Sequence, residues 1–167
     1  EEFILNKIKG DEPLIEKYNK FYDPYRPQKL KLTVDIDDTN VKMPIELLGH
    51  ANGVKFSQIK DASVDIDFKN DKFQPEYVFP KKGTHYVNYE FQNTLYNCDD
   101  MLSQSSNDTY LKEVHFSNIN TQKVSSMNSS FAFCSHLEEL DLSPFITDNV
   151  REMNFLFSNC SCLKSLD

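Results

Sequence analysis

Tryptophan is absent from the 167 residues and glycine is scarce, at 4. With many Asn, Lys, Ile, Phe and Tyr residues beside them, these gaps read as the composition of an AT-rich coding sequence rather than as a signal about fold. No apolar run approaches the roughly 20 residues that cross a bilayer as a helix, so no membrane span is expected in this chain. The opening Glu1-Glu2-Phe3-Ile4-Leu5-Asn6-Lys7 lacks the basic n-region and long apolar h-region of a signal peptide, which puts any export address outside this chain. Nor is there a basic excess. The net charge of −8 and pI near 5.0 would repel phosphate rather than release its counterions, so no nucleic-acid partner is expected. The chain is too long for a disulfide-stapled toxin and suits one ordinary domain, or two small ones.

What is present is a repeat, and it decides how the rest is read. Shifting the last third by 26 residues sets Leu111 on Leu137 and Leu163, Val114 on Leu140 and Leu166, and Phe116 on Leu142. The same shift aligns Ser117 with Ser143, Thr121 with Thr147, Val124 with Val150, Met127 with Met153, Asn128 with Asn154, Phe131 with Phe157 and Cys134 with Cys160. Segments 111–136 and 137–162 share ten identities, several times what unrelated segments of that length would share. Each unit opens Leu-x-x-Leu-x-Leu or a conservative variant, the pattern of a short strand with alternate side chains inward. One such unit cannot bury its apolar side alone, so neighbours must stack. A broken earlier copy is read at Leu95-Tyr96-Asn97-Cys98, matched to Phe131-Ala132-Phe133-Cys134, with the Ser-, Asp- and Asn-rich residues 99–108 expected as a surface loop.

The preceding segment alternates apolar and polar residues at Leu30, Leu32, Val34 and Ile36, at Ala62, Val64, Ile66 and Phe68, and at Val87, Tyr89 and Phe91. Pro80-Lys81-Lys82-Gly83 is expected to turn the chain between Tyr77-Val78-Phe79 and the last of these strands, closing a hairpin with a loop longer than two residues. Asp11-Glu12-Pro13 reads as the start of a helix through Phe21, ended by Asp23-Pro24-Tyr25-Arg26-Pro27. The expected architecture is therefore β-rich: a 26-residue leucine-rich-repeat solenoid preceded by a small antiparallel capping region and a short N-terminal helix. Its parts are residues 1–28 (helical segment and Pro-containing linker), 29–91 (cap) and 92–167 (repeats). Stacked coils need both ends covered, so the array is expected to continue past Asp167 or to meet another chain there.

The run from Met127 through Phe131, Cys134, Leu137, Leu140-Asp141-Leu142-Ser143, Phe145, Thr147, Val150, Met153, Phe157 and Cys160 to Leu163, Leu166 and Asp167 resembles the BspA-like leucine-rich repeats of bacterial, mycoplasmal and protist surface proteins. The resemblance covers residues 95–167. It implies a non-enzymatic protein, without a cofactor, that presents a repetitive surface for adhesion or protein binding at the cell surface or outside the cell.

Several chemical readings compete with that one. Leu32-Thr33-Val34-Asp35-Ile36-Asp37-Asp38-Thr39 resembles the Asp-x-Asp-x-Thr opening of the haloacid-dehalogenase phosphatases, in which Asp35 would be nucleophile and Asp37 general acid beside magnesium. The Gly-Asp-x-x-x-Asp pattern and the intervening helices of that family are missing, and a polar turn between antiparallel strands accounts for the same residues. A calcium loop at Asp61, Asp65, Asp67, Asn70 and Asp71 lacks its glycine and terminal Glu, so solvated strand acids are the better reading. Cys160-Ser161-Cys162 lacks the spacing and the second Cys pair of a zinc knuckle, and no metal site is expected. Cys98, Cys134 and Cys160 share one repeat position. Stacked side chains point in parallel, so a buried ladder of free thiols is expected in place of disulfides. The four His residues have no nucleophile at a telling spacing, and the sequons at Asn107, Asn128 and Asn159 would permit glycosylation in a eukaryotic secretory route, though abundant Asn and Ser yield such triplets by chance about as well.

If the repeat leucines point inward, Glu113, His115 and Ser117 project outward, and Glu139, Asp141 and Ser143 follow in the next coil. From Gln92 onward the chain carries ten acids against four bases, whereas the residues before it net only −2. A polar, acidic ladder results; it reads equally as a solvated face or as a binding face, and for a binding face a basic protein partner is the complement. The alternative is a structural scaffold inside a cell or in a filament, with homo- or hetero-assembly through the repeat ends.

Overall fold

The computed structural model describes residues 23, 25–38, 44–48, 59, 61–73, 76–104 and 110–166. In chain order the strands are β1 (Gln28–Ile36), β2 (Pro44–Glu46), β3 (Ser63–Ile66), β4 (Lys69–Lys72), β5 (Glu76–Val78), β6 (Gly83–Phe91), β7 (Leu111–Ser117), β8 (Glu139–Leu140) and β9 (Ser165–Leu166). Five of them form a wholly antiparallel sheet in the order β4-β3-β6-β1-β7. A small antiparallel pair joins β2 to β5, and β8 pairs with β9 in parallel. The protein is thus β-rich around an antiparallel sheet, with no helix among the described residues. The helix expected over residues 11–21 lies outside them.

Alternation builds the sheet. Leu30, Leu32, Val34 and Ile36 of β1 face inward with Val87, Tyr89 and Phe91 of β6 and Val64 and Ile66 of β3. Cross-strand register sets Leu30 between Tyr89 and Phe116, and Leu32 between Val87 and Val114. At the edge of β7 the register slips, so that Val34 pairs with Leu111 while Thr33 pairs with Glu113. This bulge gives Lys112 no place in the alternation, and it points to solvent together with Glu113. The Leu-x-x-Leu spacing of this unit is that bulge.

β7 belongs to the repeats in sequence and to the sheet by pairing, and β8 lies against its other side. Gln28 reinforces the junction from a fully buried position. Its amide donates to the Asn93 carbonyl (2.8 Å) and accepts from the Asn120 N–H (2.7 Å). One apolar core runs from Leu30 through Phe131 to Phe145.

Beyond the sheet the chain stacks in successive coils with few strand residues. The N–H groups of Met127, Ser129, Phe131 and Phe133 donate to the carbonyls of Glu152, Asn154, Leu156 and Ser158, at 2.7–3.0 Å. Those of Cys98, Asp100, Leu102 and Gln104 donate in the same way to Ser126, Asn128, Ser130 and Ala132, at 2.8–2.9 Å. The second and third coils are therefore offset by 26 residues, and the first and second by 29. Left-handed backbone recurs at the same spacings: Asp100, Ser129 and Phe155 form one set, Phe133 and Asn159 another. A polar column follows the register, because Asp99 Oδ1 accepts the Asn128 N–H (2.7 Å) and Asn128 Oδ1 accepts the Asn154 N–H (2.8 Å). Beside it, Phe131 is fully buried, stacked on Phe157 at 5.7 Å and edge-on to Phe116 at 6.3 Å.

This register corrects several expectations. Residues 99–104 are not a surface loop: Met101, Leu102, Ser103 and Gln104 are buried and stacked on the next coil. The inserted residues fall later, since the 29-residue offset carries three more residues than the repeat. Cys98 consequently stands beside Met127 rather than in the Cys134 column. Cys134 and Cys160 do repeat one role, each thiol reaching a carbonyl of the preceding coil, Leu102 (3.2 Å) and Phe131 (3.0 Å). All four cysteines are free, with Cys160 half-buried and Cys162 exposed. Finally, Pro80–Gly83 does not close a hairpin, because β5 pairs with β2 and β6 pairs with β1 and β3.

Candidate interaction face

All six residues expected on the outward ladder are exposed: Glu113, His115 and Ser117 on β7, Glu139 on β8, and Asp141 and Ser143 just after it. They share one face with the outward residues of β1, since Lys29, Lys31 and Thr33 pair with Ser117, His115 and Glu113. The polar face of the antiparallel sheet thus continues onto the coils. Glu113 accepts the Thr33 hydroxyl at 2.9 Å. Asp141 accepts the Ser143 N–H at 2.8 Å, and the Ser143 hydroxyl and N–H, with the charge of His115 further off, hold its carboxyl below the usual value.

Beside this ladder lies a second column that sequence reasoning missed. Lys112, Glu138 and Lys164 recur at 26-residue spacing and alternate in sign. Lys112 Nζ bonds the Asp35 carboxylate at 3.1 Å, and Lys164 Nζ bonds Glu138 at 2.7 Å. Lys164 is the main cause that lowers the Glu138 pKa, with Lys112 a lesser one, and the bond to Asp35 raises that of Lys112. The spacing was legible, but alternation of sign is invisible when only identities are counted. Charge in this column is matched from coil to coil. Glu139 and His115 have no ion-pair partner among the described residues. The ladder is therefore acidic in one column and neutralised in its neighbour.

Asp35, the nucleophile of the phosphatase reading, lies on a strand flanked antiparallel by β6 and β7. Its carboxylate is held by the Thr84 hydroxyl (2.6 Å) and by Lys112, and the Thr84 bond leads in keeping its pKa low. Asp37 follows the end of the same strand. The acids of the calcium reading belong to the β3–β4 hairpin, where Asp67 bonds Nδ1 of buried His85 at 2.6 Å and the Tyr86 N–H at 3.0 Å. No group of three or more His, Cys, Asp and Glu with metal-binding geometry occurs among the described residues.

The fold is β-rich around an antiparallel sheet, and the segments after its edge strand β7 are hydrogen-bonded to one another at a 26-residue offset. Residues 85–166 are similar to a family described as Mycoplasma protein of unknown function, DUF285. That match starts at His85 within β6, so it takes in a central strand of the sheet as well as the coils. No curated protein and no solved structure matches the chain. No helix among the described residues is long and apolar enough to cross a membrane.

Proposed function

We propose that the protein is a non-catalytic interaction or adhesion module, built as a BspA-like leucine-rich-repeat solenoid on an antiparallel cap and displayed at the cell surface. The observation that carries this reading is the continuity of one polar face. Glu113, His115 and Ser117 on β7 and, 26 residues on, Glu139, Asp141 and Ser143 at and just after β8 are all exposed, and β8 lies against β7. Such a face enlarges with each coil, and its unmatched acids suit a basic protein surface. The test compares partners recovered by cross-linking to the purified chain with those recovered by a Glu113→Lys, Glu139→Lys, Asp141→Lys variant. The expected result is an unchanged melting curve, a partner lost at least tenfold in the variant, and wild-type binding that weakens with salt. Recovery of the same partner at equal yield by the variant would contradict the reading.

A second reading is end-to-end assembly into a scaffold, through the surface formed by residues 153–166. The N–H groups of Met153, Phe155, Phe157 and Asn159 occupy the positions from which the preceding coil donates, and find no acceptor among the described residues. Phe155, Met153 and Leu166 are exposed on the same coil. Sedimentation velocity over a hundredfold concentration range decides it: concentration-dependent growth abolished by Phe155→Lys supports assembly, and a constant monomer opposes it.

A further inference from the structure

On the same outward face of the sheet, next to the ladder, lies an open depression of about 390 Å³. Lys31, Asp65, Asn70, Asn88 and Phe68 are among its walls. Register places four of these in a single row across the strands: Asn70, Asp65, Asn88 and Lys31. Phe68 rises at one side from the β3–β4 turn. It is 81 % exposed, and its ring leans on that of Tyr86, itself 46 % exposed, at 6.1 Å.

Three features of this depression lack a structural purpose. Phe68 has φ 65° and its neighbour Asp67 φ 49°, a pair of left-handed positions that hairpins fill with Asn and Gly. A bulky residue there is a conformational outlier, and one that buries so little of its ring gains little in return. One carboxylate oxygen of Asp65 is shielded from solvent without a hydrogen-bond partner among the described residues. Lys31, exposed in the same row, forms no ion pair among them.

We propose that this depression binds a neutral saccharide, with a sugar ring packed on Phe68 and Tyr86 and its hydroxyls spanning Asp65, Asn88 and Lys31. The mixture of charges argues against an ionic ligand, because an anion would meet Asp65 and a cation would meet Lys31. Asp65 only accepts and Lys31 only donates, while a hydroxyl does both and the amides of Asn70 and Asn88 match either role. A peptide strand would need free backbone to pair with, but β3 and β6 are hydrogen-bonded on both sides, so only side chains address the ligand. An aromatic surface beside a few convergent polar groups, in a space of this size, suits one to three sugar rings. The depression adjoins the ladder, Lys31 pairing across the strands with His115, but none of the six ladder residues is among its walls.

The test applies the labelled full chain to immobilised neutral oligosaccharides, namely β-glucosides, β-galactosides and N-acetylglucosaminides, with a peptide array alongside. The variants are Phe68→Gly, Asn88→Ala and Glu139→Lys/Asp141→Lys. The expected result is retention on at least one glycan class, lowered tenfold or more by Phe68→Gly and by Asn88→Ala and unaltered by the ladder variant. Phe68→Gly should melt at the same or a higher temperature, since glycine adopts φ 65° without strain, so its loss of binding is not a loss of fold. Retention on none of these glycans, glycan binding indifferent to Phe68→Gly, or Phe68-dependent capture by peptides in place of glycans would each overturn the proposal. Loss of protein binding in the ladder variant with glycan binding intact separates the two sites.

Discussion

The antiparallel sheet and the coil stack bury their chain by different means. In the sheet, long strands such as β1 and β6 satisfy the backbone over nine-residue ladders, and side chains only need to alternate. In the coils, regular pairing shrinks to the two-residue strands β8 and β9, so side chains take over part of the backbone's hydrogen bonding. Asn128, Ser130 and Thr121 each satisfy main-chain groups, the last two from fully buried positions. The sheet therefore tolerates polar change on its outer face, whereas the coils depend on particular polar residues inside.

The difference is sharpest at the contact shared by both regions. Phe131→Ala removes a fully buried ring that touches Phe116 of the sheet and Phe157 of the next coil, and should cost about 3–5 kcal/mol, read as a shift of the urea midpoint. Thr121→Val comes next. It conserves shape but strips a hydroxyl that donates to the Ile146 carbonyl and accepts the Ile146 N–H, and should cost about 1–3 kcal/mol. A Thr33→Val change in the sheet, where a buried hydroxyl makes one bond, to the exposed Glu113, should cost less, about 0.5–1 kcal/mol. Equal costs for the two Thr→Val changes would break the comparison.

Acid probes the sheet through one carboxylate. Burial pulls the Asp67 carboxyl upward, but its bonds to His85 and the Tyr86 N–H outweigh this and hold its pKa below the ordinary 3.8. A depressed folded-state value means stability that is fully present above the unfolded pKa and is lost as pH falls from about 4 through the lower folded value. Asp67→Asn should therefore lower the melting temperature at pH 7 and narrow its gap to wild type below pH 4.

The smallest effects concern the thiols. At pH 8 Cys162 should react first with a disulfide reagent and half-buried Cys160 more slowly. Cys98, whose pKa burial pushes up to about 12, and Cys134, raised further by burial, should react only as the stack opens. Rapid labelling of Cys98 would mean that residues 98–104 lie outside the stack.

Much of the fold was legible because apolar alternation and exact repetition are local signals. Leu30 through Ile36 marked β1, and the paired Met, Phe and Cys positions marked the second and third coils. The first coil was misread because three additional residues shift its spacing to 29, so that Cys98 matched the wrong column by identity. β4 escaped notice because its four residues, Lys69–Lys72, are all exposed and carry no apolar signal. Its turn was hidden too, with Asp67 and Phe68 where hairpin turns favour Asn and Gly. The exposure of Glu113, His115, Ser117, Glu139, Asp141 and Ser143 followed from inward leucines alone. The depression was not, since its residues come from β1, β3, β4 and β6 and meet only through register.

Amide exchange followed residue by residue tests the stack most directly. The N–H groups of Met127, Ser129, Phe131 and Phe133, donated to the following coil, should exchange near the rate of global unfolding. Those of Met153, Phe155, Phe157 and Asn159 should exchange at least a hundredfold faster. Fast exchange in the first set, or equal protection of the two at concentrations where the protein is a monomer, would contradict the register of residues 127–133 on 152–158.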